Sequence, residues 1–515
     1  MPFRSILFDD REVPPDLDRR TAPECFADLN LDQVVASVTL GRDEYGLKPF
    51  FYVPLDNLDL IDFRHEVLRD LEDRDLLDWV GAFAGGMRSM RAALTQAGKL
   101  HYALQKQRWF LEAAAIYCDA VTGLADHLAG ARLQSRGLLA FREALHDYLA
   151  SPAFISLRDD TQRVAAELSE VRYCLDIRGN RIRVTRYDGQ SDYSAEVLQA
   201  FEKFKRAAAK EYRFEFSSWA EMNHVEAAVL ERVARLYPEV FTSLEQYCAR
   251  HRDFADPSVR AFDREVQFYV ACREYVTRFT RAGLSFCYPR VDDRTKEVHA
   301  RDAFDLALAG RLLGDREGDG APVVTNDFEL TGPERILVVS GPNQGGKTTF
   351  ARMFGQLHYL ASLGWPVPGS DARLFLFDRL YTHFEQEEDL QNLSGKLEGD
   401  LRRIHAILAE ATSSSIVVMN ESFSATTTDD ALLIGREIME EIIGRDMLGV
   451  SVTFLDELAS LGEATVSMVS GVDARDAARR TFKVLRRPSD GRAYAWAIAE
   501  KYGLTYRDIT ARLAP

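Results

Sequence analysis

The sequence lacks the patterns that mark secreted, zinc-binding or membrane-spanning chains. Its six cysteines are scattered along 515 residues without a CxxC pair. This spacing argues against a disulfide framework or a structural zinc site and favours reduced thiols. The chain has no evident signal peptide, and no apolar run approaches the ~18 residues that a membrane-spanning helix needs. We therefore expect a cytoplasmic protein with no membrane segment.

A basic surface is also missing. Lysine and arginine number 64 against 80 aspartates and glutamates, which gives a net charge of −16. A chain this acidic does not attract nucleic acid over its whole surface, so any DNA contact requires a local basic patch. The length and the 46% hydrophobic content allow two to four folded domains with a large core.

Hydrophobic spacing divides the chain into helical and mixed parts. Apolar residues three and four positions apart predict helices from Asp56 to about Leu168 and again from about Ala195 to Phe279. Between them, residues 171–187 alternate apolar and polar side chains around a Gly-Asn pair, which is the pattern of a β-hairpin. From about residue 285 onward, short β-rich runs alternate with helical stretches, as is typical of an α/β domain.

The strongest motif follows a short apolar run, Ile336–Val339. Residues 341–348, GPNQGGKT, match G-x-x-x-x-G-K-[ST], and a helical pattern comes next. Glycines in this motif allow backbone N–H groups to surround phosphate oxygens at a helix N-terminus. The motif predicts ATP binding by Gly341, Pro342, Asn343, Gln344, Gly345, Gly346, Lys347, Thr348 and Thr349. Lys347 is expected to reach the β and γ phosphates, and Thr348 to ligate Mg²⁺. The alternative is a glycine-rich turn without a ligand.

A second motif lies where the apolar run 416–419 ends in Asn420-Glu421. Nucleotide hydrolases usually have Asp-Glu at such a strand end, with the Asp supporting Mg²⁺ and the Glu acting on the attacking water. An asparagine offers an oxygen ligand without negative charge. The alternative interpretation is an ordinary strand end that faces solvent.

These residues resemble a known family. The loop SGPNQGGKTTF is similar to the phosphate-binding loop of the MutS family of DNA mismatch-repair ATPases, including its Pro-Asn and its double glycine. The likeness extends upstream through residues 323–343 and downstream through residues 364–390, 419–431 and 493–509. It therefore covers roughly Ser285 to the C-terminus, and a fainter likeness to the start of the family's helical core covers residues 50–73.

The resemblance implies a multidomain protein, in which a mainly α-helical core and lever carries a small β clamp-like insertion and is followed by a C-terminal α/β P-loop ATPase domain of the ABC type. It divides the chain into an N-terminal extension (1–30), a helical core (31–168), the insertion (169–195), a helical lever and core return (196–284) and the ATPase domain (285–515). The residues ahead of Leu31 leave no room for the family's mismatch-reading and connector domains, so we expect an ATPase without a mismatch reader.

The resemblance also assigns roles to single residues. Glu421 is implied as the catalytic residue, and Asn420, together with Thr348, as the support for Mg²⁺. Phe454 stands where the family has a histidine that senses the γ-phosphate, and Val323 where it has an aromatic ring against adenine. The signature segment that a partner subunit presents to ATP corresponds to Ser394, Gly395 and Lys396, with the serine shifted by one position. We therefore expect ATP and Mg²⁺ binding, slow hydrolysis and loose base selectivity.

The hairpin lies where MutS proteins insert a DNA clamp. Its arginines Arg178, Arg181, Arg183 and Arg186 are candidates for sequence-independent contacts with DNA phosphates, and the alternative is a charged face exposed to solvent. Two functions stay open. One is a homodimeric, ATP-gated DNA clamp in repair or recombination. The other is an ATP-switched interaction protein that binds an unidentified protein partner and has lost DNA binding.

Overall fold

The computed structural model of the chain describes residues 3–9, 11, 14–179, 181–190, 222–314, 322–385, 396–423, 426–472, 480–488 and 510. The chain forms two compact units. We call the first the helical unit; it comprises Asp73–Leu133 and Leu139–Asp263 with Met1–Phe3. The second, the sheet unit, comprises Arg4–Glu72, Gln134–Leu138 and Arg264–Pro515. None of the described helices combines the length and the apolar character that a bilayer-spanning segment requires.

Within the described residues, the helical unit contains helices where the apolar spacing predicts them; the start of the second predicted stretch, residues 195–221, lies outside the described residues. Its helices are Arg74–Lys99, Ala103–Gly130, Pro152–Ser169, His224–Leu236 and Pro238–Arg250, with the later part of Arg136–Leu149 and the first residues of Pro257–Thr280. Local signals fix where they begin. The Asp73 carboxylate accepts hydrogen bonds from the backbone N–H groups of Asp75 and Leu76 at the start of the helix Arg74–Lys99. The Ser151 hydroxyl caps the helix Pro152–Ser169, which begins with a proline.

The predicted hairpin is present in this unit. Strand β1 (Tyr173–Arg178) pairs in antiparallel register with β2 (Arg181–Arg186), so that Arg178 lies opposite Arg181. Gly179 takes a φ of 59°, as a two-residue turn of this hand requires, while Asn180 lies outside the described residues. Because opposite residues share a face, the register decides which arginines lie together.

The sheet unit is a mixed α/β assembly. Its six-stranded sheet contains β7 Ile336–Ser340, β10 Leu380–Phe384, β11 Ile416–Asn420, β12 Leu448–Val452, β13 Thr465–Val472 and β14 Arg480–Arg486. The strand order is β10-β11-β12-β7-β13-β14, and all neighbours are parallel except β14, which runs antiparallel to β13. A four-stranded sheet contains β4 Arg290–Asp292, β9 Asp371–Phe375, β5 Val298–Ala303 and β6 Asn326–Leu330, and β3 Phe286–Cys287 pairs with β8 Val367–Pro368.

Helices cover the sheets of this unit. They are Cys25–Leu29, Leu31–Val38, Leu58–Asp70, Leu306–Gly314, Lys347–Ser362, Lys396–Glu410 and Thr428–Gly444, with the later part of Pro257–Thr280. Strands β7, β11 and β12 are buried at every position. Their near-continuous apolar sequences suit parallel strands that are covered on both faces. The carboxyl ends of these three strands meet at one edge of the sheet, where open α/β sheets usually bind ligands.

The N-terminal segment of the chain packs against the helix Lys347–Ser362. The Gln356 amide, fully buried, donates hydrogen bonds to the Leu29 carbonyl (2.8 Å) and to the Asp305 carboxylate (2.9 Å), and its oxygen accepts one from the Leu306 N–H (2.8 Å). A Cβ at Gly355 would lie 2.7 Å from a Leu29 methyl group, so only glycine allows this approach. These contacts fix the middle of the helix that begins at Lys347 against the N-terminal segment and the segment 305–306. The five-part domain division stays a prediction, since compact units and family domains need not coincide.

Candidate functional site

The glycine-rich loop, residues 341–346, joins buried strand β7 to the helix that begins at Lys347. All three of its glycines are required by geometry, and the first, Gly341, has a φ of 118°. Gly346 has a φ of 90°, which side-chain-bearing residues rarely adopt, and a Cβ at Gly345 would lie 2.2 Å from the Ser470 hydroxyl oxygen. That hydroxyl donates a 2.6 Å hydrogen bond to the Gly345 carbonyl, so β13 fixes the loop against β7.

Lys347 lies inside this loop, and its side chain is 3% exposed. The ammonium donates to the Gly341 carbonyl at 3.0 Å and to the Pro342 carbonyl at 3.4 Å, and Asn343 supplies a third oxygen at 3.4 Å. Burial lowers the pKa of Lys347, while the Glu421 carboxylate, 3.9 Å away, acts in the opposite direction. A buried cation among oxygen acceptors is suited to exchange them for an anion.

The next residue of the helix links the loop to strand β11. The Thr348 hydroxyl donates a 2.9 Å hydrogen bond to the Asn420 side-chain oxygen, and Asn420 is 9% exposed. Asn420 is thus not a solvent-facing strand end. A threonine hydroxyl and an amide oxygen lie together where the sequence predicts Mg²⁺ support, although metal binding by this pair stays a prediction.

Glu421 follows directly and adopts a left-handed backbone conformation, with a φ of 53°. Its N–H donates to the Val452 carbonyl at 2.9 Å, and its side chain is 26% exposed. A left-handed residue that is not glycine stores conformational energy and persists only where the surroundings enforce it. The carboxylate is therefore held near Lys347 but stays open to the cavity beside it.

That cavity has a volume of about 410 Å³, within the range of small-ligand sites. Its lining comprises Asp305, Leu308, Leu312, Pro322, Val323, Val324, Asn326, Gln344, Gly345, Gly346, Lys347, Thr348, Thr349, Glu421 and Phe482. The predicted phosphate-loop residues lie at one side. Val323 shares the apolar lining with the ring of Phe482, whose backbone φ is 58°.

Several residues of this site carry no signal in the sequence, among them Asp305, Leu308 and Leu312 of the lining and three residues of strands β13 and β14. The strand residues are Ser470, which fixes Gly345, Arg480, which donates to the Asn343 carbonyl at 3.2 Å, and Phe482. Arg480 also lowers the pKa of Lys347, which places a second positive charge near the loop. No local motif marks these residues, because only the strand order brings β13 and β14 beside β7.

Phe454 occupies a position that the sequence associates with phosphate sensing. The Lys347 ammonium lies 4.3 Å from the centroid of its ring, and the Phe454 side chain is exposed. An aromatic ring attracts a cation through its π-electrons but cannot donate a hydrogen bond to a phosphate as an imidazole can. In the predicted signature segment, Ser394 and Gly395 lie outside the described residues, and Lys396 begins the helix Lys396–Glu410.

The hairpin separates its arginines onto two faces. The register places Arg178, Arg181 and Arg183 on one face, together with Asp176. Arg186 lies on the opposite face, where its guanidinium donates to the Leu236 carbonyl and rests on the Tyr237 ring. The structure thus brings three of the four candidate DNA contacts together.

These features define a class of protein. It is a mixed α/β domain in which a glycine-rich loop joins a buried strand to a helix, beside the polar carboxyl end of another parallel strand of the same sheet. Residues 337–506 match the family model described as MutS domain V. The chain is 35% identical over 184 residues to the endonuclease MutS2 of Thermus thermophilus, an alignment that covers 35% of this chain and 24% of that protein. It is 26% identical over 234 residues to the DNA mismatch repair protein MutS of Thermotoga maritima, covering 45% of this chain and 28% of that protein.

The part of the chain that the family model matches, residues 337–506, is a MutS-family domain. A third relative, the DNA mismatch repair protein MutS of Granulibacter bethesdensis, is 26% identical over 318 residues, which cover 59% of this chain and 33% of that protein. The chain thus spans about a quarter to a third of the length of these curated relatives.

Substitution of Lys347 by alanine tests the phosphate side of the cavity. Lys347→Ala removes the buried cation, so affinity for a fluorescent ATP analogue should fall by at least about tenfold. The exposed Lys48 offers a matched control, and Lys48→Ala should bind like the wild type. Equal affinity of Lys347→Ala and wild type would rule out the loop as the phosphate site.

Proposed function

We propose that the sheet unit binds ATP with its phosphates against the glycine-rich loop. The observation that carries this proposal is the convergence of Lys347, the Thr348–Asn420 pair and Glu421 at one cavity. Positive charge from Lys347 and Arg480 supports the binding of phosphate, and the N-terminus of the helix Lys347–Ser362 adds backbone donors.

The apolar side of the cavity supports binding of the nucleotide base. Leu308, Leu312, Val323 and Phe482 line it. Val323 has no ring, but Phe482 supplies an aromatic surface to the same cavity from strand β14, and aromatic rings stack on bases without strong selectivity. This arrangement favours a nucleotide over free phosphate as the ligand.

The oxygen donors around Asn420 fit Mg²⁺ in kind, but they offer the ion only one negative charge. Thr348 and Asn420 offer neutral oxygens, and Glu421 offers one carboxylate. Among the described residues no group of three or more His, Cys, Asp and Glu side chains could hold a metal ion. Mg²⁺ would therefore be held largely by phosphate oxygens, with Thr348 and Asn420 as protein ligands or water-mediated partners. When bound, Mg²⁺ neutralises charge on the transferring phosphoryl group.

Glu421 is the proposed catalytic residue for hydrolysis of ATP to ADP and phosphate. The carboxylate would orient a water molecule and take its proton. The water oxygen then bonds to the γ-phosphorus, and the bond from phosphorus to the β–γ bridging oxygen breaks, leaving its electron pair on ADP. Lys347 stabilises the negative charge that develops on the phosphate oxygens.

Two departures from the usual residue pattern support slow turnover. Asn420 brings no negative charge to the metal, and Phe454 lies over Lys347 without a hydrogen-bond donor for the γ-phosphate. Each change leaves nucleotide binding possible while it removes stabilisation from the reacting state. Binding is therefore proposed to be the dominant property of the site, with hydrolysis as a slow reset.

DNA is the proposed macromolecular partner, in repair or recombination. Arg178, Arg181 and Arg183 share an exposed face of the hairpin, as contacts to phosphates require. A clamp of this kind would hold DNA without reading its sequence, and ATP would control its opening. In this proposal the helical core and lever carry the hairpin, and the C-terminal ATPase domain binds the nucleotide.

A second candidate function is an ATP-switched protein-interaction module. The opposite face of the hairpin favours it, because Leu175, Ile177 and Ile182 are exposed there. Apolar clusters on a surface often mark contacts with another protein. A chain of this kind would bind an unidentified protein partner through the hairpin and would not bind DNA.

A homodimer is also proposed, in which Ser394, Gly395 and Lys396 of one subunit face the ATP bound by the other. The proposed location of the protein is the cytoplasm. A symmetric pair would then contain two equivalent sites. Light scattering at micromolar concentration with ATP and Mg²⁺ should give twice the monomer mass of 58.2 kDa, and a monomer under all these conditions would contradict the proposal.

The Asn420→Asp substitution tests the metal argument. The Thr348 hydroxyl can donate to a carboxylate as it does to the amide, while the added charge should hold Mg²⁺ more firmly. We expect turnover in a phosphate-release assay to rise about tenfold, which corresponds to ~1.4 kcal/mol. Mg²⁺ should also raise the melting temperature of this variant more than that of the wild type, because binding to the native state stabilises it.

Two controls accompany this measurement. Gln33→Glu adds the same charge at an exposed position of the helix Leu31–Val38 and should leave turnover unchanged, whereas Glu421→Gln should abolish turnover and keep ATP bound. Slower turnover by Asn420→Asp with normal Mg-ATP binding would contradict the argument. It would indicate a site rebuilt around the amide and Phe454.

Charge reversal on the hairpin separates the two candidate functions. Arg181→Glu with Arg183→Glu should weaken binding to all duplexes alike and lower the slope of log affinity against log salt by about 2, since each arginine neutralises one phosphate. The same charge change at the exposed Arg294 and Arg436 is the control and should have little effect. Unchanged DNA binding, or none by the wild type, would favour the protein-interaction module.

A further inference from the structure

His383 is a fully buried histidine beneath the loop that carries Glu421. It lies on β10, where the parallel register with β11 places it beside Met419, and the following residue, Phe384, lies beside Asn420. The ring does not line the cavity described above. The proposed hydrolysis therefore assigns it no direct contact with ATP.

Both ring nitrogens of His383 are engaged. Nε2 lies 3.2 Å from the backbone carbonyl of Asp400, in the helix Lys396–Glu410, and Nδ1 lies 2.8 Å from the Ser422 hydroxyl oxygen. A carbonyl can only accept, so Nε2 carries a hydrogen. Burial, together with the nearby Arg403, lowers the pKa of His383 and so favours the neutral ring. In a neutral ring with hydrogen on Nε2, Nδ1 accepts the hydrogen bond from Ser422.

Ser422 stands between two strained residues. Glu421 has a φ of 53° and Phe423 a φ of 64°, both in the left-handed region that residues with side chains avoid. Phe423 is 4% exposed and its ring lies 5.8 Å from the His383 ring, at an interplanar angle of 28°. The histidine thus holds the middle of this strained turn by a hydrogen bond and its end by ring packing.

We propose that His383 is a positioning residue for Glu421. It fixes the turn 421–423 so that the Glu421 carboxylate stays near Lys347, and it ties that turn to the helix Lys396–Glu410. Arg403 links the same helix to β10, because its guanidinium donates to the Phe384 carbonyl at 3.1 Å. The inference rests on the proposed hydrolysis by Glu421 and concerns the rate of the chemical step rather than nucleotide affinity.

The consequence can be measured by separating kcat from nucleotide affinity. Ser422→Ala removes only the hydroxyl, and His383→Ala removes the hydrogen bond and the ring. Each should lower kcat about tenfold and leave the Kd for ATP within about twofold, since the carboxylate loses its position while the glycine-rich loop is unchanged. The double variant should be no slower than His383→Ala, because both changes break the same link.

Two further variants distinguish positioning from general loss of structure. His383→Asn keeps an acceptor close to the position of Nδ1 and should recover most of the kcat lost in His383→Ala. Ser362→Ala removes another buried hydroxyl of the sheet unit, which donates to the Tyr359 carbonyl, and should leave kcat unchanged.

The outcomes separate this inference from the proposed function. Measurable wild-type turnover with unchanged kcat in Ser422→Ala would overturn the role of His383 and leave ATP hydrolysis standing. Fully additive effects of the two substitutions, or equal losses of kcat and ATP affinity, would also overturn it. Wild-type protein that binds ATP but releases no phosphate would overturn the proposed hydrolysis and with it this inference.

Discussion

The buried ammonium of Lys347 is the constraint on which the rest of the site depends. A cation that is almost inaccessible to water must be surrounded by oxygens, and here the loop turns its own carbonyls inward to supply them. That turn requires glycine at 345, where Ser470 approaches, and at 346, where φ is 90°. The helix begins at Lys347 and is anchored from behind by Gln356. Packing, strand order and loop conformation together therefore fix the position of the Lys347 ammonium.

One carboxylate, one further cation (Arg480) and a neutral side-chain pair surround this cation. Glu421 lies 3.9 Å from the ammonium, and the Thr348–Asn420 pair is neutral where a threonine–aspartate pair would carry a charge. Phe454 covers the ammonium with a π surface. Under the proposed function, Asn420 and Phe454 act in the same direction, because each would reduce the charge or hydrogen bonding available to a bound γ-phosphate and leave the glycine-rich loop unchanged. They fit a protein that holds nucleotide for long periods better than one that turns it over rapidly.

Local patterns in the sequence predicted much of the fold and the centre of the site. Apolar spacing indicated the helices of residues 58–169, alternation indicated the hairpin, and the motif at 341–348 lies between a strand and a helix as expected. The remaining site residues depend on long-range pairing that no local pattern encodes. Phe482 reaches the cavity only because β14 follows β13 at the far side of β7. His383 meets Ser422 only because β10 pairs with β11, and Arg178 joins the face of Arg181 and Arg183 only through the register of the hairpin.

The central claim is that the cavity beside the glycine-rich loop holds a nucleoside triphosphate. A crystal structure of the chain with a non-hydrolysable ATP analogue and Mg²⁺ tests it most directly. Phosphate oxygens should lie within hydrogen-bond distance of the Lys347 ammonium and the backbone N–H groups of residues 344–348, with the base against Phe482. Lys347 should then exchange the Gly341 and Pro342 carbonyls for phosphate. An analogue that binds elsewhere, or is absent at saturating concentration with the Lys347 contacts unchanged, would contradict the account.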